Sequence, residues 1–166
     1  TIYSYIEPYL GTVAGFSPEA ITTTLVALGV SGFLGSVVFS HAYGTHRQFC
    51  LLTGGVGVTA CALLYTATAA LAPALVTVCL VLGMISTLFN VTMQAELLRS
   101  TSRAGAPVAT SIYSGLFNVG IGGGTALGSL VAGAGHLPSI GLVGATIAAL
   151  TAGYTMFIYL PAIQKK

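Results

Sequence analysis

Glu7 is the residue whose type and place in the chain most invite chemistry. It lies in an apolar stretch with Gly15 eight residues further on. At the rise of an α-helix, that is about 12 Å from the helix end, or near mid-depth in a hydrocarbon core of about 30 Å. An acidic side chain there costs about 2.5–3.5 kcal/mol on insertion scales, and such groups face a cavity or a partner. Pro8 follows directly and removes the backbone bond to the Ser4 carbonyl, so a kink is predicted beside the acid. Tyr3 and Gly11 lie one turn either side of Glu7 on one helix face. A carboxyl with a hydroxyl and loosened backbone around it suits proton exchange or hydrogen bonding to a polar solute. The structural alternative is an acid bonded to Tyr3 or to another helix.

Further polar groups recur at helical spacing. Asn90 and Gln94 are one turn apart and share a face, as are Ser114 and Asn118, and each pair could line a solute path or bond helix to helix. Asn118 lies about 16 Å in from Pro107, again near mid-depth. Gly120, Gly124 and Gly128 form a separate stripe, read as a close-packing surface, and Gly29, Gly32 and Gly35 offer another smooth edge. Glu96, Arg99 and Arg103 follow i, i+3, i+7 spacing and predict an ion cluster at a helix end. His41 and His46 flank a tight turn with Arg47. A pH-sensing role is conceivable for them, against the plainer reading of solvated loop histidines. His136 is read in the same way.

The elements that must hold these residues follow from composition. Apolar residues make up 55% of the 166 and charged ones 5%, with a mean hydropathy of +0.93. A soluble domain carries roughly 25% charged residues, so water is the wrong solvent for this chain. The basic residues fall in three places: Arg47, Arg99 with Arg103, and Lys165 with Lys166. The breaks at 15–19, 71–73 and 135–138 contain none. Basic loops stay cytoplasmic, which predicts an all-α membrane protein of about six crossings, with the C-terminus inside. The expected helices cover about residues 1–14, 20–43, 48–70, 73–98, 107–134 and 138–161, forming one bundle over 1–166. Ser17-Pro18-Glu19 reads as a helix start, with Ser17 as N-cap. The first helix is shorter than the roughly 20 residues needed to span, so it is expected to be incomplete, or the chain a fragment. Leu34-Gly35-Ser36-Val37 and Leu127-Gly128-Ser129-Leu130 each lie in the second helix of a group of three and run in opposite senses. That is the pattern of two inverted three-helix repeats.

Several function classes are excluded. The chain has no aspartate, no Ser-His-Asp set and no His-Glu-x-x-His, so an enzyme is not expected. No Walker-type sequence is present. Cys50, Cys61 and Cys79 fit no metal spacing and read as buried thiols; neither metal nor cofactor is called for. There is no basic face with interleaved aromatics for nucleic acid. Tyr43, Tyr154 and Tyr159 are among the tyrosines that partly mark membrane interfaces.

The run Tyr3-x-Tyr5-Ile-Glu7-Pro8-Tyr9-Leu10, then Ala14-Gly15-Phe16-Ser17 and Ile21-Thr22, resembles the start of the second half of a major facilitator superfamily transporter. It is most similar to bacterial proton-coupled drug and sugar efflux permeases of the arabinose-efflux type. The resemblance spans nearly all 166 residues, as the six C-terminal helices of a twelve-helix protein. Gly44-Thr45-His46-Arg47 occupies the place of that family's Gly-Arg-Arg loop. The family's acidic residue falls near His41 and its leading glycine near Val37, which removes the acid for a gating salt bridge at that turn. Asn118 with its trailing glycines resembles the Gly-rich fifth helix of this half. The resemblance implies efflux of a sugar or drug against protons by alternating access, in the bacterial inner membrane. The partners it implies are the lipid bilayer and a missing N-terminal half or a second copy. Glu7, Tyr3, Asn90, Gln94, Ser114 and Asn118 would then be the solute and proton groups, with His41, Arg47, Glu96, Arg99 and Arg103 at the inner gate. The rival expectation is a non-transporting membrane interaction module or a degenerate transporter remnant.

Overall fold

The computed structural model describes residues 1–164, and among these it is helical throughout with no strand. Lys165 and Lys166, the third basic site in the sequence, lie outside the described residues. We number the helices α1 (Ile2–Thr12), α2 (Pro18–Ala42), α3 (Arg47–Ala67), α4 (Ala72–Arg99), α5 (Ala106–Gly133) and α6 (Leu137–Ile163). The last five are long and apolar enough to cross a membrane, whereas the 11 residues of α1 reach only about 16 Å.

Local chemistry explains the helix ends. Ser17 accepts the Ala20 amide at 3.3 Å and Pro18 occupies the first turn of α2, where its missing N–H costs nothing. Pro73 and Pro107 likewise open α4 and α5. Gly15 and Gly135 take φ of 70° and 76°, the left-handed conformation that closes a helix and that glycine adopts without a Cβ clash. At these ends the Phe16 amide donates to the Leu10 carbonyl, and the His136 amide to that of Val131. Two helices carry a π-turn, α3 at Thr53–Gly57 and α6 at Thr155–Tyr159.

Glycine sets how closely the helices approach. α2 lies along α4, and α3 against α6. A Cβ on Gly35 would strike the Met84 backbone, and one on Gly83 would strike Ser31. On the other pair, Gly55 faces Ala152 and Gly141 faces Thr66 and the Ala62 carbonyl. Of the predicted stripe, Gly124 meets Thr1 and Gly128 meets the Tyr5 ring, seating α1 on α5, while Gly120 has no neighbour within 4 Å. Such approaches replace the hydrophobic drive that is absent between helices in lipid. The most enclosed part of the bundle is built around Tyr9, Tyr65, Leu75, Cys79 and Ile140, with the Tyr9 and Tyr65 rings 4.4 Å apart. All three cysteines are free and buried. By contrast α5 buries only Gly128 and exposes Leu116, Val119 and Leu130, and α2 exposes Val26, Val30 and Phe33.

Candidate functional site

Two polar arrangements stand out in this apolar bundle. The first is a cavity of about 880 Å³ where α1, α4 and α5 border one another. Tyr3 and Ser4 reach it from α1, Ser86, Thr87 and Asn90 from α4, and Tyr113 from α5. Their hydroxyls and amide interrupt a wall that is otherwise Phe89, Leu116, Phe117 and Ile121. A smaller space of about 240 Å³ shares Tyr3 and Ser86 with it and runs toward α6. Across this cavity wall the Tyr113 hydroxyl of α5 donates to the Asn90 carbonyl of α4 at 3.3 Å. At the α1 side, the Ser4 and Thr125 hydroxyls pair at 2.8 Å, and the Tyr5 hydroxyl donates to the Thr125 carbonyl at 3.2 Å. Few polar groups around a largely apolar concavity is the make-up of a small-molecule site.

The second arrangement gathers four helices on one carboxylate. Glu96 is 3% exposed. Its Oε1 accepts from the Tyr43 hydroxyl at 2.7 Å and from Arg47 Nε, and its Oε2 from a second Arg47 nitrogen and from the Tyr159 hydroxyl at 3.0 Å. Tyr43 follows α2, Arg47 opens α3, Glu96 is in the last turn of α4, and Tyr159 closes the α6 π-turn. A bidentate guanidinium and two hydroxyls satisfy the buried acid, which is the condition for keeping a charge out of water. Among the described residues this is the one ion pair that joins an acidic to a basic side chain. Glu96 itself lies three residues before Arg99 in the last turn of α4, so its pairing with Arg47 brings the two basic turns to the same end of the bundle.

The remaining sequence-derived candidates fall as follows. Tyr3 and Asn90 line the cavity. Gln94 does not, but its Nε2 donates to Asn90 Oδ1 at 2.9 Å. Glu7 is exposed, on the stripe that carries Tyr3 and Ser4 and one turn beyond the cavity wall. Ser114 and Asn118 are exposed outside the cavity, and Asn118 donates back to the Ser114 carbonyl at 2.9 Å. Gly120 borders the cavity. Arg99 and Arg103 are exposed, so the acid spaced to meet them turns instead to Arg47. His41 bonds its own helix at the Val37 carbonyl, 2.9 Å away.

Sequence reasoning missed Ser86, Thr87, Tyr113 and Phe117 as cavity groups, and Tyr43 and Tyr159 as partners of Glu96. The Ser86-Thr87-x-x-Asn90 run and the Tyr113–Phe117 spacing are local signals of a polar and an aromatic helix face. Glu96 with Tyr159 has no local signal, since only the helix packing brings them together.

Five apolar helices of spanning length, with hydrocarbon exposed along α2 and α5, are the make-up of a multi-pass membrane protein. No family model matches the chain. Over 160 residues, 96% of its length, it is 32% identical to a probable sugar efflux transporter of Mannheimia succiniciproducens. The chain spans 40% of that relative's length. Nearly end to end, then, this chain is a homologue of a protein named as a sugar efflux transporter.

Proposed function

We propose that the chain forms one half of a secondary transporter of the major facilitator type, which extrudes a small polar solute such as a sugar in exchange for protons. The observation that carries this reading is the cavity between α1, α4 and α5, a largely apolar concavity with a few hydroxyl and amide groups on its wall, in a chain aligned almost throughout with a probable sugar efflux transporter. Its open face, flanked by the unpacked sides of α2 and α5, is where a second six-helix unit would close the solute path. Alternating access then opens and shuts the path from either end. The Glu96 cluster ties four helices at the end bearing Arg47 and Arg99, which the rule for basic loops places in the bacterial cytoplasm. When its bonds are intact, that end is held shut. Glu7, on the same stripe as Tyr3 and Ser4, is the group assigned to proton exchange, because among the described residues its carboxylate has no ion-pair partner and an intramembrane acid without one is a functional candidate.

Everted membrane vesicles from cells making the complete protein test this. Neutral sugars should accumulate when the vesicle interior is acidified, and the accumulation should collapse with a protonophore. Vesicles no better than those lacking the protein, for every sugar and cationic drug tried, would favour the rival reading of a non-transporting packing module.

A further inference from the structure

Among the described residues no Asp, Glu, Lys, Arg or His side chain lines the cavity. Its most directional group is Asn90. An asparagine amide has one acceptor oxygen and an NH2 with two donors. Here the oxygen is engaged by the Gln94 amide at 2.9 Å, and among the described residues Nδ2 has no protein partner. Tyr113 has committed its hydroxyl proton to the Asn90 carbonyl, so only its lone pairs remain for a ligand. Beside them the Tyr113 and Phe117 rings stack, with centroids 6.2 Å apart and planes 17° from parallel, giving the wall a broad apolar surface.

We infer that Asn90 reads the solute with fixed polarity, donating from Nδ2 to a ligand oxygen, and that Gln94, itself outside the cavity, is the positioning residue that sets this polarity. The ligand that fits is an uncharged, oxygen-rich ring with an apolar face, the oxygen on Asn90 and the C–H face over the Tyr113–Phe117 pair. This rests on the transport reading above and names how that site selects.

The test uses the complete protein in vesicles, with methyl glucopyranoside and methyl galactopyranoside and their monodeoxy and monodeoxyfluoro analogues as probes. Fluorine accepts a hydrogen bond weakly and cannot donate one. At one ring position the unaltered protein should therefore favour the fluoro over the deoxy analogue in KM by about threefold. At pH 8 the carboxylate of Gln94→Glu accepts from Asn90 Nδ2 and turns Oδ1 to the cavity, which should abolish that advantage. Gln94→Met releases the amide and should reduce it, with the maximal rate within about twofold of the unaltered protein. The inference is overturned if both variants move the glycosides with the preference unchanged, or if no ring position shows one. Loss of both variants from the membrane would assign Gln94 to helix packing and overturn it as well. If the unaltered protein moves none of the glycosides, the transport reading has failed, and the inference with it.

Discussion

Replacing Arg47 by methionine should weaken the bundle at one identifiable point. Glu96 is 3% exposed, and two of the four hydrogen bonds to its carboxylate come from Arg47. Breaking a fully enclosed ion pair costs about 3–5 kcal/mol, because the surviving charge stays buried. The Arg47 side chain keeps 29% of its surface exposed, so water partly replaces it, and about 2–3 kcal/mol is the fitting expectation. Tyr43→Phe or Tyr159→Phe each removes one hydroxyl donor to the same acid and should cost about 1–2 kcal/mol. The double variant Arg47→Met with Glu96→Met leaves no orphan charge and should cost less than Arg47→Met alone, giving a coupling of about 2 kcal/mol or more. Reversible unfolding in mixed detergent micelles, followed by circular dichroism, reads all of these on one scale. A cost for Arg47→Met below about 0.5 kcal/mol, or single costs that simply add in the double variant, would refute the assignment of Glu96 as the acid on which four helices converge.

Three other outcomes follow from the packing and the site. Gly35→Ala should destabilise the bundle by about 1–3 kcal/mol in the same unfolding assay, since its Cβ would meet the Met84 backbone, whereas Gly29→Ala, with open space around it, should be close to neutral. Glu7→Gln should abolish proton-coupled efflux by the complete protein and leave its amount in the membrane unchanged; transport at the normal rate by that variant would remove Glu7 from the mechanism. Single cysteines at Thr45 and Ser102, in a background lacking Cys50, Cys61 and Cys79, should resist an impermeant maleimide on intact cells and react in everted vesicles; labelling from outside would reverse the proposed orientation.

Composition and periodicity made much of the helical layout legible. Apolar runs of spanning length, with Ser17-Pro18, Pro73, Pro107, Gly15 and Gly135 as punctuation, are local signals, and the structure realises them through local bonds. Gly35 shows the boundary of such reasoning. It was readable as a small residue on a smooth edge, but not as the point where the Met84 backbone passes. Asn90 and Gln94 could be paired from their spacing, yet which of them meets the cavity depends on how α4 is rotated against α1 and α5. Glu96 illustrates the larger gap. Its spacing to Arg99 and Arg103 was visible along the sequence, while its partners Tyr43, Arg47 and Tyr159 come from three other elements. A side chain chooses a bidentate partner that can approach it in the interior over an exposed neighbour on its own helix, and no one-dimensional spacing reports that choice.

Solute protection of a cysteine placed at Ser86 tests the central claim most directly, because that residue borders both the larger and the smaller cavity. In the complete protein lacking the three native cysteines, Ser86→Cys should react with a water-soluble maleimide, and a transported neutral sugar should slow that reaction. A cysteine at Val119, 72% exposed on the outer side of α5, should show no such protection. Equal rates at Ser86→Cys with and without every sugar that the protein moves would place the solute path elsewhere and contradict the account.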